Sequence, residues 1–211
     1  MSPATRHPQL RNVPVQARSR RRLAQVLDAG DQVLAREGAA AFTTNRVAAV
    51  AGVPVGSVYH YFQDKEALVQ ALALRYWEEF EDLVRGVAET DERDPLPDPA
   101  GTALDALIVG FRARPGFLAM WFGGLRTEGV RDATRPTRTA IAASVARIFT
   151  VHWPDVAPAD RDAAARMVVI AGDGLLREAF RSAPDGDQWL LAESRAMLDA
   201  YVAARLGPAR R

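Results

Sequence analysis

The sequence predicts an all-α fold of about nine helices, and three observations predict it. Apolar residues recur at helical spacing in one segment after another, and no stretch alternates apolar and polar residues as a half-buried strand does. The breaks between these segments fall on glycines and prolines. The 211 residues, 48% hydrophobic and 25% charged, bury an ordinary core without disulfides or metal.

Residues 1–17 hold three prolines and no apolar periodicity, so a flexible basic arm is expected there. The first helix starts near Arg18, gathers Leu23, Val26, Leu27, Val33 and Leu34 on one face and stops at Gly38. Thr43 can cap a short second helix that turns Val47, Ala48 and Ala51 inward and ends at Gly52. A third short helix runs from about Val55 to Tyr61, and Pro54 suits its first turn. Asp64 caps a longer fourth helix to about Glu89, with Leu68, Leu72, Trp77, Phe80, Val84 and Val87 as its apolar stripe. Residues 91–99, with three prolines and four acids, read as a loop. Further helices are expected at about 99–113, 115–124, 133–152, 159–182 and 187–206. This order implies an arm (1–17), a compact three-helix unit (18–63) and a larger helical unit (64–211).

Charge is unevenly distributed. Residues 1–62 hold eight basic and three acidic residues, while residues 63–211 hold nineteen and twenty-three. Six of the arginines fall within residues 1–22, where there is no acid. Arg18, Arg20, Arg21 and Arg22 abut the first helix and are held where a polyanion could meet them; the alternative is an ordinary solvated tail. No run of ~18 apolar residues suggests a membrane span, and no apolar stretch of secretory type follows the basic start, so a cytoplasmic protein is expected. The absence of cysteine excludes disulfide scaffolds, thiolate metal sites and cysteine catalysis.

The segment TTNRVAAVAGVPVGSVYHYF, residues 43–62, places two short helices around a tight glycine turn, the helix-turn-helix layout. Ala48 and Ala51 allow close approach of the helices, and Val47, Val53 and Val58 suit the shared core. The second helix is then available to a major groove about 12 Å wide. Ser57 and Tyr59 offer hydroxyls, His60 offers ring nitrogens and Gly56 permits close backbone approach. Lys65, the chain's one lysine, opens the next helix, where backbone amides favour a phosphate. Tyr59, Tyr61 and Phe62 can also be core residues, and Phe62 is read as one.

Gly38, Thr43-Thr44, Val47-Ala48, Ala51-Gly52-Val53, Gly56-Ser57-Val58-Tyr59, Tyr61-Phe62 and Asp64-Lys65-Glu66-Ala67-Leu68 together resemble the TetR family of repressors over about 50 residues. The resemblance implies a homodimer that binds a palindromic double-stranded DNA operator and releases it when a small molecule fills the C-terminal domain. It implies DNA contacts at Thr44, Val55, Gly56, Ser57, Tyr59, His60 and Lys65. Tyr59 and Lys65 would hold phosphates, and Val55, Ser57 and His60 would face bases. Pro54 stands where the family usually has Ser or Thr, which removes a capping hydroxyl. The resemblance also implies dimerisation through helices eight and nine, with Val169, Leu176, Phe180, Trp189, Met197 and Tyr201 in the interface.

Trp77, Phe80, Phe111, Phe117, Met120 and Trp121 fall on helices four to six. They are either plain core or the walls of an aromatic cavity suited to a flat, mostly apolar effector, with neutral guests ranked ahead of cationic ones. Asp173, inside the apolar run 167–176, can pair with an arginine at a dimer seam, cap a kink between two glycines or face the cavity. His7, His60 and His152 lack metal-ligand spacing, and no phosphate loop or nucleophile elbow is present. No enzyme activity, metal or cofactor is expected.

Overall fold

The computed structural model describes residues 10–11, 16–181 and 183–209; most of the expected arm, residues 1–9 and 12–15, lies outside them. The described residues form nine α-helices: α1 (Ala17–Glu37), α2 (Thr44–Ala51), α3 (Val55–Tyr61), α4 (Lys65–Arg93), α5 (Pro99–Ala113), α6 (Pro115–Phe122), α7 (Glu128–His152), α8 (Pro158–Arg181) and α9 (Gln188–Leu206). A 3-10 turn, Ala39–Ala41, follows α1. The all-α expectation holds.

Helix ends follow local chemistry. The Thr43 hydroxyl accepts the Arg46 amide at 3.1 Å and starts α2, and Gly52 stops it in the left-handed region, at φ 64°. The Asp64 carboxylate accepts the Ala67 amide at 2.8 Å and starts α4. Two bounds differ from expectation. α4 continues to Arg93 because Asp91 is fully buried, accepting from the Leu96 amide at 2.8 Å and lying 2.9 Å from His152 Nε2. α7 begins at Glu128 because the Thr127 hydroxyl accepts the Val130 amide at 3.2 Å; the helix then runs through Pro136, which withholds one backbone donor.

The chain packs as two compact units. The first contains residues up to Tyr76 together with Arg114–Arg135. Val26, Val33 and Leu34 of α1, Val47 of α2, Val58 of α3 and Leu68 of α4 make its core. α6 closes against α1 at Gly116: a Cβ there would overlap the Asp31 carboxylate and come within 2.6 Å of the Tyr76 hydroxyl. That hydroxyl donates to Asp31, and burial, then this hydrogen bond and the Asp31 charge, push its pKa up.

The second unit comprises Trp77–Ala113 and Pro136–Arg211. Phe80 stacks on Phe111 at 5.1 Å, and Phe111 meets Phe180 at 5.4 Å, tying α4, α5 and α8 together. Arg147 donates twice to Glu92, at 2.8 and 2.7 Å, and the Trp153 indole donates to the Gly207 carbonyl at 2.8 Å.

Candidate functional site

The helix-turn-helix is built from small inward residues and a mostly polar outer face. Val47, Ala48 and Val58 are buried where α2 crosses α3, and the Val53 amide donates to the Ala48 carbonyl at 3.1 Å across the turn. Gln25 of α1 reaches the last carbonyl of α2, that of Ala51, at 2.7 Å. Tyr61 is buried; its hydroxyl lies 2.9 Å from Ser19 Oγ and donates to the Ser19 carbonyl at 3.2 Å. Tyr61 and Phe62 are therefore core residues that lock α3 to α1.

The opposite face of α3 is open. Val55 and Tyr59 are 38% and 42% exposed, Gly56 and His60 are exposed, and Ser57 is half-buried. A Cβ on Gly56 would have no neighbour within 4 Å, so the lack of a side chain there leaves backbone accessible. Pro54 supplies no side-chain cap to α3; its carbonyl instead accepts the Ser57 amide at 2.8 Å. Arg18, Arg20, Arg21 and Lys65 are exposed and Arg22 is half-buried. All eleven residues anticipated for DNA thus fall in one unit, but Thr44 differs in kind. It is 8% exposed, and its hydroxyl lies 3.1 Å from that of Tyr59.

Sequence reasoning missed the anchoring of Arg11. The Arg11 amide donates to the Tyr61 carbonyl at 2.9 Å, and Leu10 pairs antiparallel with Phe62. This part of the arm is fixed to the C-terminal end of α3. It also missed that Arg46, exposed on α2, is engaged by Glu37 at 2.7 Å; the hydrogen bond from Arg46 holds the Glu37 carboxyl below its usual range.

The second unit holds a partly open cavity of about 90 Å³. Trp77 and Phe80 of α4 and Phe111 of α5 line it. Phe117, Met120 and Trp121 do not. They sit on α6 in the first unit, where Phe117 packs edge-on to Tyr76 at 5.6 Å and Trp121 lies 5.1 Å from Phe117, with the Arg126 guanidinium 4.2 Å above the indole. The close approach at Gly116 draws α6 onto α1, so these aromatics serve as core. The remaining wall comes from α5, α7, α8 and α9 and includes Leu104, Ile148, Phe149 and Val202. These residues share the helical periodicity of any core position, so nothing in the sequence separates them from the core.

Three ionisable side chains reach the wall: Asp173, Arg195 and Asp199. Asp173 faces the cavity and also pairs with arginines within its unit, Arg138 at 3.4 Å and Arg177 at 3.5 Å. Arg195 donates to both Asp105 oxygens at 3.2 Å and to Asp98. Burial first, then the Asp98 charge, pushes Asp199 up.

The expected dimer residues divide. Leu176 and Val169 line the cavity, and Phe180 is buried against Phe111. Leu176 and Phe180 therefore have no surface to offer a partner. Tyr201 is half-buried. Trp189 and Met197 of α9 are exposed, at 68% and 50%, together with Ile170 and Met167 of α8, which sequence reasoning had not singled out.

A helix-turn-helix with an outward third helix, in an all-α chain, defines a DNA-binding regulator. Comparison with known proteins specifies the family. Residues 26–72 match the bacterial regulatory proteins of the tetR family, and residues 95–201 match the tetracyclin repressor-like C-terminal domain. A TetR-family transcriptional regulator from Streptomyces coelicolor is similar in structure, with a TM-score of 0.65, at 30% identity over 88% of this chain and 99% of that one. The probable HTH-type transcriptional regulator ArpR of Pseudomonas putida is 37% identical over 73 residues, which is 35% of this chain and 35% of ArpR. SmeT, from Stenotrophomonas maltophilia, has a like fold in its triclosan complex: TM-score 0.61, 21% identity, 87% of this chain and 91% of SmeT. The chain belongs to the TetR family of transcriptional regulators.

Proposed function

We propose that the protein is a dimeric repressor that binds a palindromic operator and is released by a small molecule held in the second unit. The observation that carries this reading is the outward face of α3, where Val55, Gly56, Tyr59 and His60 are exposed above a sealed core. In this reading Val55, Ser57 and His60 meet base edges, while Tyr59, Lys65 and the arginines of α1 hold phosphates. Thr44 acts indirectly, by aiming Tyr59.

Effector response rests on α4. One continuous helix carries Lys65 at its start and Trp77, Phe80 and Val84 on the cavity wall. A guest that binds better to one position of α4 than another shifts the balance between DNA-competent and released forms, by as much as its two affinities differ. A cavity of about 90 Å³ is well below the roughly 300 Å³ of a drug-sized site, so guest binding and wall movement are one event. SmeT, a protein of like fold, forms a complex with triclosan. A chromosomal DNA partner implies a cytoplasmic protein.

A gel shift with the DNA upstream of the chain's own gene, repeated across salt concentrations, tests the reading. Binding to a palindromic segment with a steep salt slope is expected. Binding that is absent at every salt concentration, or that is indifferent to sequence, overturns it.

A further inference from the structure

The charges around the cavity point to the chemistry of its guest. Of the three ionisable groups on the wall, Arg195 is committed to Asp98 and Asp105. The wall is otherwise apolar and presents two carboxylates, Asp173 and Asp199. Asp173 is the deeper, its side chain 5% exposed.

A cation already sits at this carboxylate. The Arg138 guanidinium lies 5.3 Å from the centroid of the Trp77 indole, and one of its terminal nitrogens is 3.4 Å from Asp173 Oδ2. An indole face and a buried carboxylate are thus arranged around one planar positive group. Of these three residues, Trp77 and Asp173 belong to the cavity wall and Arg138 does not. The Arg138 side chain is 26% exposed, so part of it already meets water, while its Nε is buried. Arg177 also pairs with this carboxylate, at 3.5 Å, and is tied in place by its Nε, which donates to the Asp173 carbonyl at 2.9 Å, one turn back along α8.

We propose that the cavity takes a small aromatic cation of the amidinium or guanidinium class, whose charge competes with that of Arg138 for Trp77 and Asp173. The inference rests on the cavity being the effector site. Exchange of one planar cation for another keeps the charge balance at Asp173. A neutral guest leaves both carboxylates without a new partner, and an anion meets them directly. Size favours a small guest: about 90 Å³ is less than the roughly 150 Å³ cavity that holds benzene, so a single-ring body asks least of the wall.

Benzamidinium, benzamide and benzoate are near-identical in shape and carry charges of opposite sign or none. Titration calorimetry of each into the full chain at neutral pH reads the preference. Benzamidinium is expected to bind about tenfold tighter than either of the others, Asp173→Asn to lose about that factor, and Arg138→Met to gain severalfold because its competitor is gone. Benzamide or benzoate binding as well as benzamidinium overturns the proposal, as does no benzamidinium heat at millimolar concentration. If Asp173→Asn does not fold, Arg138→Met decides alone, and an unchanged or weaker benzamidinium affinity there overturns the proposal. A gel shift on the same samples separates the two readings. Intact operator binding with no cation preference overturns the guest assignment alone. Cation preference with no DNA binding overturns the repressor reading alone.

Discussion

The hydroxyls of Thr44 and Tyr59 lie 3.1 Å apart, the first buried at the start of α2 and the second exposed on the outer face of α3. This bond fixes the direction in which the Tyr59 side chain leaves the protein. Thr44→Val keeps the shape and removes the hydroxyl. It is expected to weaken DNA binding by about 0.5–1.5 kcal/mol, equally for all sequences, because a phosphate contact carries no base information. Tyr59→Phe is expected to weaken binding at least as much, again for all sequences alike, since it removes the phosphate-holding hydroxyl itself, and the double variant to cost less than the sum, since both changes break the Thr44–Tyr59 bond. Additive losses in a gel-shift double-mutant cycle would separate Thr44 from Tyr59.

The features legible in the sequence are those written by neighbours along the chain. Thr43, Gly52 and Asp64 announce helix ends through bonds spanning three or four residues, and each does so in the fold. The face of α3 is legible for the same reason, since Val58 must face in if Tyr59 and His60 face out. The cavity is not legible. Phe117 and Phe111 have similar sequence surroundings, yet Gly116 lets α6 close on Asp31 and Tyr76, so only Phe111 reaches the cavity. Leu176 and Ile170 are both apolar on α8, and the orientation of that helix buries one and exposes the other. Nothing local encodes that orientation.

Anchoring of the arm at Arg11 can be tested by truncation on either side of it. Removal of residues 1–9 keeps the Arg11 amide on the Tyr61 carbonyl, whereas removal of residues 1–11 frees that carbonyl and the Leu10–Phe62 pairing. The shorter truncation is expected to change affinity modestly. The longer one is expected to weaken it further and to speed amide exchange at the end of α3. Neutralising Arg18, Arg20, Arg21 and Arg22 is expected to lower the log–log salt slope by about 0.9 for each phosphate that an arginine no longer neutralises. Equal behaviour of the two truncations would show that the anchor contributes nothing.

Glu78 sets a pH dependence of stability. Burial first, then the charges of Asp82, Glu81 and Glu79, pushes its carboxyl up to about 6 from an ordinary 4.5. The folded state therefore holds this proton more tightly than the unfolded chain does. The associated stability is complete below about pH 4.5 and is lost as the pH rises through about 6. Glu78→Gln removes the charge and is expected to raise stability at neutral pH by under about 1 kcal/mol, since the group is half-buried and screened by water. Urea denaturation at pH values either side of this window reads the difference. A gain that is the same at both would point to a cause other than titration.

The dimer face is the prediction that departs furthest from the sequence reading. A partner can only meet what a single chain leaves exposed, and Leu176 and Phe180 are buried within their own chain. Met167 and Ile170 on α8 and Trp189 and Met197 on α9 are large, apolar and about half-exposed or more. Between them α9 exposes Ala192, Ala196 and Ala200, one turn apart, and small residues let two helices approach closely. We propose that these exposed apolar side chains of α8 and α9 form the interface. In a two-fold dimer each substitution acts twice, so Ile170→Glu places two carboxylates in the seam, each costly unless it finds a partner. Sedimentation at micromolar concentration is expected to give a dimer for the parent chain and a monomer for Ile170→Glu, with helical content retained. Val109 of α5 provides the control, because it is 60% exposed and apolar yet lies on neither α8 nor α9. Val109→Glu is expected to leave the dimer intact. If Val109→Glu dissociates the protein and Ile170→Glu does not, the interface lies on α5 and the assignment to α8 and α9 is wrong.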